Sequence, residues 1–250
     1  MRLFLQKSYL SKLSIPLFLF WLIFSNDALA KPVSVCMADN HLGHWVSRHM
    51  LKKIYKHAGL EVEFVHYPNM RSLETANRGG CDAEANRSLK VIKRFTNLRA
   101  VPSPMFVTKS YAFVKTGSKI SVESWDDLNE FTIAIMNGEI YAMQATEGMH
   151  RDIANNYNNL FKLLTRRSID VVIGMEVPSI RELSKKEFAN KVEKLPTPLF
   201  SATVHHFVHK DKPELAKQID AAIIDLRKQG LMDQYLAEAL ADLATTETLE

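Results

Sequence analysis

Residues 78–87, RGGCDAEANR, join the end of one predicted helix to a predicted strand. Glycine readily adopts the left-handed backbone conformation that ends helices, so Gly79 and Gly80 predict a helix stop. Asp82 then begins the strand, and Arg87 lies toward its carboxyl end. In open parallel sheets, ligands bind outside the carboxyl ends of the strands. The stretch therefore predicts either an arginine directed at a ligand or the solvated cap of a strand, and position alone does not separate the two.

The residues around this stretch alternate between strand and helix patterns. Short β-branched or alternating runs predict strands, and apolar residues at helical spacing predict helices. The predicted order is strand, helix, strand, helix, strand, over residues 32–38, 42–58, 61–67, 69–77 and 81–87. This order with short connections is typical of a parallel α/β sheet.

The second half of the chain follows the same plan. Residues 160–175, LFKLLTRRSIDVVIGM, predict a helix, a basic break, an aspartate and an apolar strand. Before them, residues 123–139 predict a short helix, a buried strand at 131–136 and a tight turn at Asn137 and Gly138. A strand at 201–210 and two helices separated by Gly230 follow. We therefore expect a second α/β unit.

The first 30 residues have the three-part pattern of a secretory signal peptide. Three basic residues precede an apolar run at residues 13–24, and Ala28-Leu29-Ala30 is a small-x-small cleavage site. The run is shorter than the roughly 20 residues that span a bilayer. An uncleaved anchor is the alternative. We expect export to the periplasm with cleavage after Ala30.

Composition and charge argue against two classes of main partner. Hydrophobic residues make up 46% of the chain and charged residues 24%, as in an ordinary globular protein. Beyond residue 30, 29 of the 32 basic and 27 of the 28 acidic residues remain. This balance gives no reason to expect nucleic acid or a membrane surface as the main partner. The length suits one large domain or two lobes of about 100 residues each.

Three segments, taken in order, resemble the extracytoplasmic solute-binding proteins of family 3, which have the type II periplasmic binding fold. They are residues 58–83 (AGLEVEFVHYPNMRSLETANRGGCDA), 121–139 (SVESWDDLNEFTIAIMNGE) and 209–236 (HKDKPELAKQIDAAIIDLRKQGLMDQYL). Their order and spacing carry the resemblance, rather than any single motif. The resemblance implies an α/β protein of two lobes, each a mainly parallel sheet flanked by helices. Lobe one would be residues 31–112 plus 205–250, and lobe two residues 113–204.

Two hinge strands, near residues 111–113 and 203–205, would join these lobes, and hinge closure would bury a ligand between them. The first and third strands would be parallel neighbours. Cys36 lies late in the first, whereas Cys81 opens the third. At about 3.3 Å per residue, this offset favours a Cα separation beyond the roughly 7 Å that a disulfide allows. Export favours a disulfide, so a bond and two buried thiols both stay open.

The resemblance also implies a ligand site. Amino-acid binders of this family hold the ligand carboxylate with an arginine just beyond the third strand, and counting from Asp82 places Arg94 there. Arg87 lies nearer the strand end, and Arg71 is a third candidate whose alternative is a solvated helix face. Arginine suits this role because its planar guanidinium makes two parallel hydrogen bonds to a carboxylate. Further candidate ligand contacts are Asp39, Trp45, Gly138 and Glu176.

The chain departs from the family pattern at the ammonium of an amino-acid ligand. Counting from Asp170 puts Met175 where the family has an acid, with Glu176 next to it. Only Ser88 supplies a hydroxyl between Arg87 and Arg94. An α-amino acid is therefore not expected as the ligand, and a carboxylate or another small anion fits the arginines better.

Neither a metal nor a cofactor is expected. His41 and His44 share a helix face, but no H-E-x-x-H motif, glycine-rich phosphate loop or G-x-S-x-G elbow is present. The turn MNGE at residues 136–139 has backbone N–H groups that an anion could accept at a helix start, and a plain turn is the alternative.

Two functions from different classes follow. The first is a monomeric periplasmic protein that captures a small anionic or carboxylate-bearing solute for an inner-membrane permease or a sensor. The second is an enzyme on the same fold, such as a cyclohexadienyl dehydratase-like lyase, with Asp39, His41 and Glu176 as candidate acids or bases. Turnover of a prephenate-type substrate would distinguish them.

Overall fold

The computed structural model describes residues 31–39, 42–87, 89–166 and 169–245. The predicted signal peptide and His41 lie outside these residues. The described residues form a mixed α/β structure with one nine-stranded sheet. The strands are β1 (Val33–Ala38), β2 (Val62–Tyr67), β3 (Ala83–Arg87), β4 (Leu98–Ala100), β5 (Phe106–Lys115), β6 (Ile133–Met136), β7 (Arg151–Ala154), β8 (Val171–Met175) and β9 (Val192–His209).

Helices connect most of these strands. They are α1 (Leu42–His57), α2 (Asn69–Asn77), α3 (Leu89–Ile92), α4 (Ile140–Ala145), α5 (Tyr157–Arg166), α6 (Glu176–Leu183), α7 (Pro213–Lys228) and α8 (Leu231–Thr245), with a 3₁₀ turn at Asp126–Glu130. The predicted alternation from the first to the third strand is confirmed. Gly59 and Gly79 follow α1 and α2 with φ of 71° and 79°, the left-handed conformation expected at helix ends.

The strand order is β2-β1-β3-β9-β5-β8-β6-β7, with β4 paired to β9. In the first half, β1 is parallel to both β2 and β3. In the second half, β6 is parallel to both β7 and β8. The long strands β5 and β9 pair antiparallel and connect the two parallel parts. The structure is thus the two-lobed α/β fold implied by the resemblance, with each parallel part closed by crossover helices.

The strand β9 is longer than predicted. The sequence predicts a strand from residue 201 because Pro196 and Pro198 interrupt the pattern, but the strand begins at Val192. Among the described strands, only β5 pairs with β9 between Val192 and Val204, since β3 joins the other edge at His205. Proline lacks an N–H donor and is tolerated on an unpaired strand edge. The register shifts between Tyr111 and Phe113 of β5, opposite the two prolines.

Two sets of hydrophobic cores lie on either side of this connection. In the first, β1, α1 and α7 pack together through Val35, Ile54 and Ile223, and Phe106 of β5 joins them. In the second, Phe113 of β5 packs edge to face against Phe161, with ring centroids 5.3 Å apart. Val177 of α6 packs into the first core, although α6 follows the second-half strand β8.

The turn RGGCDAEANR is held by backbone geometry and by a disulfide. A Cβ on Gly80 would lie 2.7 Å from Cγ2 of Thr75, so only glycine fits without displacing that side chain. Cys36 and Cys81 are bonded, with a Cα–Cα distance of 5.7 Å. The expected separation beyond 7 Å is wrong, because β3 begins only at Ala83 and Cys81 lies in the bend before it. The offset counted along a strand therefore does not apply.

Candidate ligand-binding site

A cavity of about 1090 Å³ lies between the two halves of the fold, and we refer to it as the interlobe cavity. Its described lining comes from the start of α3, the β6–α4 turn with α4, and the strand β9. The lining residues are Leu89, Gly138, Glu139, Ile140, Tyr141, Gln144, Ala145, Phe200, Ser201, Ala202 and Thr203. Two of its apolar side chains are exposed, Leu89 by 46% and Ile140 by 60%. An open, mainly apolar cleft with a few polar groups is the usual form of a small-molecule site.

The β6–α4 turn provides the floor of this cavity on the second-half side. Gly138 has a φ of 83°, a conformation that L side chains rarely adopt. No atom would lie within 4 Å of a Cβ built there, so the backbone, rather than crowding, requires the glycine. The turn predicted at Asn137 and Gly138 is confirmed, and it directs the following residue, Glu139, into the cavity lining.

Glu139 accepts hydrogen bonds from two tyrosine hydroxyls. Tyr141 donates to Oε2 at 2.5 Å, and Tyr157 of α5 donates to Oε1. The Tyr157 hydroxyl also accepts the backbone N–H of Met175, at the end of β8, at 2.8 Å. Burial raises the pKa of Glu139, and the two hydroxyls oppose this rise. The carboxyl group is thereby fixed between the ends of β6 and β8.

Aromatic rings continue the wall beside Glu139. The Tyr141 ring stacks on Phe200 of β9, with centroids 4.2 Å apart and an interplanar angle of 14°. The Tyr141 hydroxyl lies 3.0 Å from Oγ of Ser110, a fully buried residue of β5. Ser110 donates to the carbonyl of Gly174 at 3.1 Å. These contacts connect the cavity wall to both of the long strands that cross between the halves.

Arg87, at the end of β3, is occupied by neighbours within its own half. Its side chain is 9% exposed, and Nη2 lies 2.7 Å from Oε1 of Glu84, which is fully buried. This contact is an ion pair without hydrogen-bond geometry at that oxygen. Nη1 lies 2.6 Å from Nε2 of His44, and Nη2 donates to the carbonyl of Asn69 at 3.2 Å. Ser72 donates to the other oxygen of Glu84 at 2.7 Å.

Burial dominates the electrostatics of this pair. It raises the pKa of Glu84 to about 7, although the attraction of Arg87 and the Ser72 hydrogen bond lower it. Burial also lowers the pKa of Arg87, against the attraction of Glu84. In both residues the effect of removal from water on the pKa exceeds that of the mutual attraction, as can happen in a buried ion pair.

The other two predicted arginines are exposed. Arg94 follows α3, the helix that begins at the cavity residue Leu89, and Arg71 lies in the first turn of α2. None of the three arginines is among the described residues that line the interlobe cavity.

The remaining predicted contacts also lie outside the cavity lining, except Gly138. Asp39 is exposed and lies 3.6 Å from Nδ1 of His66. Trp45 is partly buried against the first core. Glu176 is paired with Lys194 at 2.6 Å, so a cation already accompanies it.

The sequence pointed to the turn but not to its carboxylate. The motif MNGE predicts a role for its backbone N–H groups, and nothing in it singles out the side chain of its last residue, Glu139. The tyrosines that fix Glu139 are two and 18 residues further along the chain, and no local pattern predicts that their hydroxyls converge. Phe200 was also missed because it precedes the predicted strand.

No helix in the described part of the chain is both long and apolar enough to cross a membrane. The described histidines, cysteines and acids include no group of three or more that could hold a metal ion.

The family model for bacterial extracellular solute-binding proteins, family 3, matches residues 32–240. No curated protein sequence gives a significant match. Solved structures match at low identity and show the fold. An amino acid ABC transporter substrate-binding protein, AbpA, from Streptococcus pneumoniae, bound to L-arginine, is 16% identical with a TM-score of 0.60, covering 86% of this chain and 97% of its own. Substrate-binding domain 2 of Lactococcus lactis GlnP, in an open conformation, is 16% identical with a TM-score of 0.68, covering 84% and 95%. The GluR0 ligand-binding core with L-glutamate is 12% identical with a TM-score of 0.64, covering 84% and 99%.

Proposed function

Because the chain belongs to family 3 of the bacterial extracellular solute-binding proteins, we propose that it captures a small solute in the interlobe cavity. The observation that carries this proposal is the cavity itself, whose lining comes from both halves of the fold. Its volume lies just above the usual range for small-molecule sites, which leaves room for closure around an amino-acid-sized solute.

We propose lobe one as residues 31–112 plus 205–250 and lobe two as residues 113–204, with β5 and β9 as the hinges. Core packing supports a crossing of β5 between Phe106, which joins the first core, and Tyr111, which joins the second, a few residues before the boundary at residues 112 and 113. In β9, the corresponding change is between Leu199 and Val204. Closure about these two strands would bring the exposed residues of lobe one over the cavity.

We also propose that the solute carries a carboxylate, held by Arg94 with Arg71 as a second partner. Both side chains are exposed and lie at the starts or ends of helices that follow lobe-one strands. A solute carboxylate would have to compete with the buried Glu84 for Arg87. We therefore propose that Arg87 neutralises Glu84 at the end of β3 and does not itself bind the solute. The contacts predicted for Asp39, Trp45 and Glu176 stay predictions.

The partner would be a permease or a sensor. AbpA is an amino acid ABC transporter substrate-binding protein, which favours the permease. The structures compared above are binding proteins or ligand-binding cores, and they give no support to the lyase alternative.

Export of the chain is expected from the pattern of residues 1–30. N-terminal sequencing of the protein isolated from the periplasmic fraction of the producing cell should begin at Lys31. A protein that retains Met1 and sediments with membranes would contradict cleavage.

Closure on a ligand is the main test of the proposed function. The twenty amino acids and simple carboxylates are screened by thermal shift, and the binder is then used in small-angle scattering. A saturating binder should lower the radius of gyration of the protein, because the lobes close. In Arg94→Ala, affinity should fall by about 30-fold or more, since a buried carboxylate loses its charged partner.

Arg78→Ala is the matched control, because Arg78 is also an exposed arginine but lies at the opposite end of β3. It should bind as the parent does. Unchanged scattering with a ligand whose binding is established by calorimetry would contradict closure, and equal affinities of the parent and Arg94→Ala would contradict the role of Arg94.

A further inference from the structure

The edge of β9 that faces away from β5 borders the interlobe cavity. Residues 200–203 of β9 line this cavity, whereas no described residue of β5 does. From Phe200 to Val204, β9 pairs with β5 residue by residue without a shift in register, so this part of β9 is a regular extended strand. The cavity therefore lies along the second, open edge of the strand.

Two backbone hydrogen bonds show which way the main-chain groups of β9 point. In an extended strand, the N–H and C=O groups of successive residues point to opposite edges. The carbonyl of Val204 accepts the N–H of Met105, which precedes β5, at 2.8 Å. The N–H of His209 donates to the carbonyl of Asp82, which precedes β3, at 2.9 Å. Even-numbered residues in this part of β9 therefore face β5, and odd-numbered residues face the edge that β3 joins.

Ser201 and Thr203 are the odd-numbered residues of β9 that line the cavity, and both are exposed. The last residue of β3, Arg87, pairs with His205, so β3 ends before it reaches them. Among the described residues, none is hydrogen-bonded to the main-chain N–H or C=O of Ser201 or Thr203. Two donors and two acceptors with the spacing of a strand thus face the cavity, in line with the end of β3.

The side chains around this edge suit an apolar group of the solute. Leu89 of α3 and Ile140 of α4 lie in the lining and expose much of their apolar surface. Apolar surface that stays exposed in this way commonly marks an interaction site. Glu139 is the only charged residue among the described lining residues, and two tyrosine hydroxyls already bond to it. The cavity therefore offers main-chain polar groups and apolar side chains rather than a set of charges.

We propose that the solute is a short peptide, which binds in an extended conformation as an added strand on the edge of β9 at Ser201 and Thr203. An apolar side chain of the peptide then packs against Leu89 and Ile140. This inference rests on the proposed function, because the interlobe cavity must be the solute site.

The match between the peptide and the edge is one of spacing and size. A peptide presents N–H and C=O groups at the strand spacing of about 3.3 Å per residue, so its main chain can pair with that of β9. A free amino acid has no peptide group and can satisfy only part of this pattern. Three extended residues span about 10 Å. The cavity of about 1090 Å³ has the volume that holds ligands of this size.

Tripeptides with an apolar central residue test this inference on the unmodified protein. The probes are Ala-Leu-Ala and Ala-Phe-Ala, and calorimetry compares each with the free amino acid of its central residue, L-leucine or L-phenylalanine. At least one tripeptide should bind at least about tenfold more tightly than its free amino acid, because the amino acid leaves donors and acceptors of the edge without partners.

Two isomers of the tripeptide that binds more tightly then test the added strand itself. Each isomer carries a methyl group on the nitrogen of one of the two peptide bonds, so the isomers have the same charge, composition and side chains. In an extended peptide these two N–H groups point to opposite edges. Methylation should therefore weaken binding by at least about tenfold at one bond and by less than about threefold at the other.

Ser201→Pro assigns the effect to the edge of β9. Proline removes the N–H that faces the cavity, and a strand tolerates it where that N–H is not part of a ladder. The affinity for the tripeptide should fall by at least about tenfold. Ser121→Pro is the matched control, since Ser121 is also exposed but lies outside the cavity lining and outside the strands and helices. If Ser201→Pro does not fold, Thr203→Pro replaces it, and the methylated isomers still test the inference on the parent.

The possible outcomes separate the inference from the function on which it rests. A free amino acid or simple carboxylate that closes the lobes and binds as tightly as both tripeptides would overturn the peptide and leave the proposed function standing. Equal affinities of the two methylated isomers would overturn the added strand, and so would a tripeptide that binds Ser201→Pro as tightly as the parent. Absence of binding by every tripeptide, amino acid and carboxylate would overturn both the inference and the function.

Discussion

Replacing Arg87 with alanine should lower the free energy of unfolding by about 3–5 kcal/mol, because Glu84 would stay buried without its cationic partner. The Arg87 side chain is 9% exposed and that of Glu84 is fully buried. Little water therefore reaches Glu84 in the folded protein, and the guanidinium is its charged partner. Urea unfolding at pH 8 of the parent and Arg87→Ala, without ligand, measures the loss.

The dependence of this loss on pH identifies its cause. Burial already raises the pKa of Glu84 to about 7 in the folded protein, and removal of Arg87 raises it further. A carboxyl group whose pKa is raised in the folded state favours folding most at a pH below its unfolded-state pKa of 4.5, where it is protonated in both states. Its contribution to stability is then lost as the pH rises through the folded-state pKa. The destabilisation of Arg87→Ala should accordingly be smaller at pH 5 than at pH 8.

A double-mutant cycle completes this test. Glu84→Gln removes the charge that lacks a partner, so Glu84→Gln/Arg87→Ala should be more stable than the sum of the two single losses implies. Additive losses that do not vary with pH would contradict the buried ion pair. Two further side chains contact this ion pair: the imidazole of His44 lies against Arg87, and the hydroxyl of Ser72 donates to Glu84.

Removing the disulfide should cost about 4 kcal/mol of unfolding free energy. Cys36 and Cys81 are 45 residues apart, and the loop-entropy relation gives about this value for a loop of that length. Cys36 and Cys81 are both buried. Reduction therefore acts mainly on the unfolded chain, whose freedom the bond restricts. Urea unfolding of the parent with and without a phosphine reductant measures the difference.

Cys36→Ala/Cys81→Ala is the control for the reductant itself. It should unfold at the lower midpoint under both conditions, shifted slightly by the loss of two buried side chains. Thiol titration of the denatured parent before reduction should find no free thiol. Two free thiols there, with a midpoint insensitive to reductant, would contradict the bond.

Much of the fold follows from short-range patterns in the sequence. Gly59, Gly79 and Gly230 end helices where left-handed backbone is needed, and apolar spacing identifies α1 from Val46 to Ile54. These features are local, so one sequence suffices to find them. The order of the elements then carries the resemblance to the two-lobed family.

The parts that escaped prediction depend on contacts between distant residues. The disulfide depends on where β3 begins relative to the bend at Cys81. The role of Arg87 depends on Glu84 three residues earlier, whose burial no local pattern reveals. The hydrogen bonds of Glu139 join the β6–α4 turn to Tyr141 of α4 and Tyr157 of α5. From the local sequence alone, each tyrosine could equally be an ordinary core aromatic residue.

The unpaired edge of β9 has a consequence for the behaviour of the protein in concentrated solution. A long strand with open N–H and C=O groups is a template on which other chains can add as strands and aggregate. From Val192 to Val204, no described strand covers the edge of β9 that faces away from β5. Pro196 and Pro198 lack the N–H donors that such pairing needs, and two charged residues, Glu193 and Lys194, precede them in the strand. Pro196 and Pro198, which prevent the sequence pattern from predicting this part of β9, therefore also oppose the addition of a strand from another molecule.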